Sequence, residues 1–164
     1  MTNTNPSTER ALPTDSDILF IGNSYSDQIQ SVLAGAIAES PYRQSTLTTV
    51  WQGGVTLEQL VEDGRAFEGI AKQNWDAVIL QDQSQRPAIP GDPRKQFDLA
   101  VDALVPRIRE AGAEPLLYMT WGHRDGNKVH PDLVGYEAMQ KRLTDAYREA
   151  GERNNIRVVP VGEA

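Results

Sequence analysis

Three short polar segments carry the residues able to do chemistry: Gly22-Asn23-Ser24, Trp51-Gln52-Gly53-Gly54 and Gln81-Asp82-Gln83-Ser84. A hydroxyl, a turn glycine and a side-chain amide are an inventory for acyl transfer. Ser24 could attack a carbonyl, while backbone N–H groups and an amide could bind the oxygen on which negative charge develops. Gly54 suits the second task because no side chain obstructs the approach to its N–H. Taken one at a time, the same residues are also a helix cap, two turn glycines and a surface amide. Position alone leaves open whether Ser24 or Ser26 does more than cap the next helix. Their joint placement favours chemistry, because each segment comes after an apolar run and all three would then share one rim of a sheet.

The elements that must position them alternate from residue 17 onward. Apolar runs near Asp17–Ile21, Ser45–Val50, Ala77–Gln81, Pro115–Thr120 and Ile156–Val161 read as five strands, separated by helical patterns. That alternation predicts an α/β fold in three layers, α/β/α, around a five-stranded parallel sheet. Ile29, Val32, Leu33 and Ile37 keep helical spacing, as do Phe97, Val101, Leu104, Val105 and Ile108. Thr56 and Gln59 make a capping box after Gly53 and Gly54. Asp92-Pro93 opens the next helix, and Gly112 with Pro115 closes it. A last helix is expected from about Leu133 to Ala150, with Tyr136, Met139, Leu143 and Tyr147 on one side and Gly151 as its stop.

Composition narrows the function. The 164 residues are 39% hydrophobic and 24% charged, with a net charge of −7 and no basic cluster long enough to track a phosphate backbone. Nucleic acid is therefore not an expected partner. Absence of cysteine excludes a disulfide framework, a thiol nucleophile and thiolate metal ligation. The first residues have neither a basic start nor an apolar core, and the chain has no run of about 18 apolar residues. The expectation is a soluble, cytoplasmic protein without membrane partners. Residues 1–16 read as a flexible leader and 17–164 as one domain. No Lys comes after the glycine turn and no G-x-G-x-x-G occurs, so no nucleotide loop is expected.

The strand-GNS start ILFIGNSYS, the Gly-x-Thr turn at 54–56 and AVILQDQSQRP resemble the first three blocks of the SGNH, or GDSL-like, serine hydrolases. With MTWGHRDG and VVPVGEA downstream, the likeness runs over about residues 17–162 and is nearest the branch with GNS for GDS. It implies flavodoxin-like strand order and a cofactor-free, metal-free esterase acting on a small-molecule or carbohydrate ester. It further implies that Ser24 is the nucleophile and gives an oxyanion N–H, that Gly54 gives a second N–H, and that Gln83 gives a third donor by its side chain.

The resemblance also implies a base, a His three residues after an Asp near the C-terminus, and these 164 residues hold no such block. His123 and His130 both come after the fourth strand; Asp125 precedes His130 by five residues rather than three. They are poor candidates for the base, and a metal group of His123, Asp125, His130 and Asp132 has no helix-fixed spacing. The expectation is a fragment of a longer hydrolase, truncated before that block, with little turnover and an apolar patch beside the fifth strand. A homodimer would also bury such a patch. The competing reading is a noncatalytic flavodoxin-like module binding a small molecule or carbohydrate, with Tyr25, Trp51 and Trp121 as its aromatic rim.

Overall fold

The computed structural model describes residues 12–127 and 129–163. Residues 1–11, most of the expected leader, lie outside the described residues; Ser16 at its end is buried and receives Thr46 N–H on its carbonyl at 2.9 Å. The described residues form five strands and five α-helices: β1 (Asp17–Gly22), α1 (Ser24–Ala38), β2 (Thr46–Trp51), α2 (Leu57–Glu62), α3 (Arg65–Ala71), β3 (Ala77–Leu80), α4 (Asp92–Glu110), β4 (Glu114–Tyr118), α5 (Tyr136–Asn154) and β5 (Arg157–Val159). The strands form one parallel sheet in the order β2-β1-β3-β4-β5. This is the expected three-layer α/β fold with flavodoxin-like strand order.

Register decides what the sheet can present. Gly22 pairs with Trp51 across β1 and β2, and Ile21 pairs with Leu80 across β1 and β3, so the three strands end level with one another. Since β1 is central between β2 and β3, the segments after those strands emerge side by side at the carboxyl edge. Gly22 permits this closeness: a Cβ there would lie 2.5 Å from Gln81 Oε1 and 3.2 Å from Ser26 Oγ.

The two faces of the sheet are unequal. Leu19, Ile21, Val78, Leu80, Leu117 and Met119 meet α2 to α5 in the main core, where Phe97 and Tyr147 pack ring to ring at 5.0 Å. The opposite face is crossed by α1, whose only buried residue is Ser26. Val32, expected in a core stripe, is 73% exposed, because among the described residues no second helix packs beside α1 to cover that side. An apolar groove of about 630 Å³ remains there, lined by Ile18, Leu33, Leu47, Ile79, Leu116 and Val158 among others. It reaches β5, where the sequence predicts an apolar patch.

Other local departures have plain causes. Gly64, with φ of 83°, splits the second helical segment into α2 and α3. Gly151 does not stop α5. It is buried within the helix, where a Cβ would come 2.7 Å from Val158 Cγ2, and the helix ends instead at Asn155 with φ of 50°. Leu133 belongs to a separate 3-10 turn, Pro131–Leu133. Among the described residues no helix is long and apolar enough to cross a membrane.

Because overpacked sites lose about 1–3 kcal/mol, Gly22→Ala should lower the urea midpoint correspondingly. An unchanged midpoint would show that the ends of β1 and β3 can separate freely.

Candidate active site

Ser24 is the first residue of α1, and the cap is its neighbour: Asn23 Oδ1 accepts from Tyr25 N–H at 3.0 Å. Ser26 is buried and donates its hydroxyl to the Asn23 carbonyl at 2.5 Å. Neither serine therefore caps the helix through its side chain. Among the described residues nothing hydrogen-bonds Ser24 Oγ, which is half-buried at the strand edge. The amino end of a 15-residue helix lies there, and its free N–H groups favour negative charge.

The three loops are knitted through buried polar groups. Gln81 Oε1 accepts from Asn23 N–H at 3.2 Å, and Gln81 Nε2 donates to Asn23 Oδ1 at 3.2 Å. Asn23 Nδ2 donates to the Val55 carbonyl at 3.5 Å. Asp82 Oδ1 accepts from Leu57 N–H at 2.8 Å and from Gln83 N–H at 2.7 Å. Asn23, Gln81 and Asp82 are each at most 3% exposed. Buried polar groups are costly unless partnered, so these bonds fix where the loops sit.

Gly54 has φ of +70° and open space where a Cβ would stand, so its backbone requires glycine while its surroundings leave it accessible. Gln83 Oε1 accepts from Gln85 N–H at 3.0 Å and Arg86 N–H at 3.2 Å, which leaves the side-chain NH2 as the uncommitted end among the described residues. Ser24, Gly54 and Gln83 thus share the rim without bonding one another directly.

His123 sits on the β4 side of this rim. Its Nε2 is 3.5 Å from Tyr25 Oη and 3.4 Å from Ser84 Oγ, distances longer than a good hydrogen bond to nitrogen. Tyr25 stacks on Trp121, with centroids 4.7 Å apart and planes 4° from parallel. His130 belongs to another turn, its backbone N–H donating to Asn127 Oδ1 at 3.2 Å. The loop bearing both histidines is closed on itself, with Asn127 N–H on the Leu133 carbonyl at 2.7 Å and Gly126 bridged to Val134. A glycine is required at 126 because a Cβ would strike the Leu133 carbonyl, so it marks a tight approach rather than a hinge. Among the described residues no three His, Asp or Glu side chains gather into a metal-holding group.

Two buried groups at the floor are not singled out by the sequence. Tyr147, which reads there as one apolar stripe residue, brings its hydroxyl 3.4 Å from Asp82 N, and burial pushes that hydroxyl well above the usual tyrosine range. Asp82 is pushed up to about 6, chiefly by burial and against the pull of its two N–H partners and Arg86. Its Oδ2 is buried with no partner among the described residues. The signal for Asp82 is a carboxylate set directly after an otherwise apolar strand.

No family model matches the chain, and no curated protein matches it in sequence. Solved structures do. A candidate SGNH hydrolase from Slackia heliotrinireducens superposes with a TM-score of 0.71 at 22% identity, covering 87% of this chain and 77% of that one. The fold is that of the SGNH hydrolases. Axe2, an acetylxylan esterase from Geobacillus stearothermophilus, matches at TM-score 0.64 and 16% identity over 88% of this chain and 75% of its own, in a catalytic mutant. The esterase EstA from Pseudoalteromonas sp. matches at 0.63 and 17%, over 88% of this chain and 76% of that one. Within the SGNH hydrolase fold, identity this low carries the architecture and leaves the roles of individual residues to the geometry.

The Asp82 carboxyl stands at about 6 in the fold against an ordinary 3.8. Its neutral form therefore stabilises the fold fully below pH 3.8, and that contribution is lost as the pH rises through about 6. The gap corresponds to about 3 kcal/mol. Urea unfolding of the wild-type chain should show a component of stability that falls by up to that amount between about pH 4 and 7, and Asp82→Asn should lack it. A variant that tracks pH as wild type does would assign the titration elsewhere.

Proposed function

We propose that this chain is the scaffold of a serine ester hydrolase that cleaves O-acyl esters, acetylated carbohydrate among them, through an acyl-enzyme on Ser24. The observation that carries the reading is Ser24 itself: a hydroxyl at the end of β1, which lies between β2 and β3, relieved of capping by Asn23 and flanked by the loops after those two strands. Ser24 stands at the first helical position, where Asn23 already fills the capping role and the Ser24 hydroxyl is left for other contacts. The acetylxylan esterase and the esterase among the structural neighbours support the same class of reaction. Asn23 in the GNS turn and Gln83 after β3 support, on this reading, membership of the GNS-type branch.

In the reaction, Ser24 Oγ bonds to the ester carbonyl carbon as its proton passes to a base. The carbonyl oxygen takes up negative charge against the N–H groups of Ser24 and Gly54 and Gln83 Nε2. Collapse of this adduct breaks the bond to the alcohol oxygen, which leaves with a proton, and water then releases the acid from Ser24. His123 faces Tyr25 and Ser84, and these 164 residues hold no Asp-x-x-His block, so the reading assigns the base to neither histidine. Lacking that base costs on the order of 10⁴ to 10⁶ in rate. The unpartnered Ser24 equally suits a module that binds and does not turn over.

Prolonged incubation with 4-nitrophenyl acetate should leave one acetyl group on the peptide containing Ser24, detected by mass spectrometry and absent from Ser24→Ala. Turnover should be nearly the same in both proteins. Acetylation of Ser24 no faster than that of other hydroxyls would leave the binding module as the better reading; a large loss of turnover in Ser24→Ala would place a base within the chain.

A further inference from the structure

Resting on the esterase reading of Ser24, we infer that Asp82 is a positioning residue that holds the two flanking oxyanion loops together, and that its protonation releases both at once. One oxygen atom does the holding. Asp82 Oδ1 accepts from Leu57 N–H at 2.8 Å and from Gln83 N–H at 2.7 Å. Leu57 opens α2 three residues after Gly54, and Gln83 bears the third donor, so a single carboxylate reaches both sides of the site. The carboxylate is 1% exposed, and bonds to an ionised acceptor are roughly twice as strong as neutral ones. Adding a proton either leaves Oδ1 a weaker carbonyl acceptor or places the hydrogen on Oδ1 itself. Both outcomes weaken the two bonds together.

The surroundings set where this happens. Glu58 on α2 disfavours the charged form, Arg86 in the turn after β3 favours it, and these two are paired with each other at 3.2 Å. Tyr147 on α5 brings an uncharged hydroxyl against the Asp82 backbone, and His123, beyond β4, lies against the neighbouring Ser84. Burial outweighs the rest and puts the carboxyl at about 6, so the loops are held at neutral pH and released in mild acid. Asn23 and Gln81, neither of which titrates in this range, hold Ser24 throughout. Release therefore moves the oxyanion donors relative to a fixed nucleophile.

The test is a titration of the ¹⁵N-labelled full chain from about pH 8 to about pH 5. On acidification the N–H resonances of Leu57 and Gln83 should shift with one midpoint near 6, and the Gly54 N–H and Gln83 side-chain NH2 should shift with them. Asp82→Asn, which keeps an acceptor oxygen for both N–H groups, should abolish that step; His123→Gln should leave it. A step that survives in Asp82→Asn, or Gly54 and Gln83 side-chain resonances that stay still while Leu57 moves, would overturn the proposal. If Asp82→Asn does not fold, the wild-type midpoint is compared with that of the His123 ring in the same sample. A distinct midpoint shared by Leu57 and Gly54 supports the clamp, and coincidence with His123 overturns it. Acetylation of Ser24 should also fall below pH 6 in wild type more than in Asp82→Asn. No acetylation of Ser24 at any pH would sink the esterase reading, while the resonances would still decide the clamp.

Discussion

The structure depends on a polar constraint at the carboxyl edge of its sheet. Three neighbouring parallel strands end level, and the loop after each of them must turn without leaving buried amides and carbonyls unpaired. Asn23, Gln81 and Asp82 meet that demand by bonding across strands rather than to their own turns alone. An unpaired buried polar group costs about 1–3 kcal/mol, so the network behaves as a unit. It closes only when the loops after β1, β2 and β3 stand in one arrangement. The positions of Ser24, Gly54 and Gln83 along the rim are a by-product of that closure.

Helices then hold the network from one side only. Tyr147 reaches it from α5 and Arg86 braces it to α2 through Glu58 and to α4 through Gln96. The face under α1 is the weaker one: its groove is apolar, α1 is mostly exposed, and the rim there carries the Tyr25–Trp121 stack. Order at the site thus comes from the α2–α5 core. The helix that begins with Ser24 contributes its amino end and little burial.

Much of this is legible in the chain. The β-α alternation gives the layers, the Thr56–Gln59 capping box is present as expected, and the resemblance to SGNH hydrolases agrees with the fold found by superposition. Val32 departs from expectation because helical spacing describes its own helix while its burial depends on whether another element lies opposite, and Gly151 because its bare backbone serves a close approach to Val158 inside α5 rather than a helix end. Asp82 does not stand out because it sits among polar neighbours in sequence yet becomes buried, and Tyr147 because it reads as one residue of an apolar helix stripe while its hydroxyl reaches Asp82.

The sequence alone determined that strands and helices alternate, that α2 begins after the Thr56 cap and α4 at Asp92, and which polar segments come after the first three strands. Those properties rest on periodicity and turn chemistry, which act over a few residues. Only the tertiary structure decided that Asn23 and not a serine caps α1, that Gln83 Oε1 is committed and its side-chain NH2 uncommitted among the described residues, and that His123 faces Tyr25 and Ser84. Each of these is a choice of hydrogen-bond partner among several of equal chemistry. That choice is made by distances across strands and loops, which the sequence of any one segment does not contain.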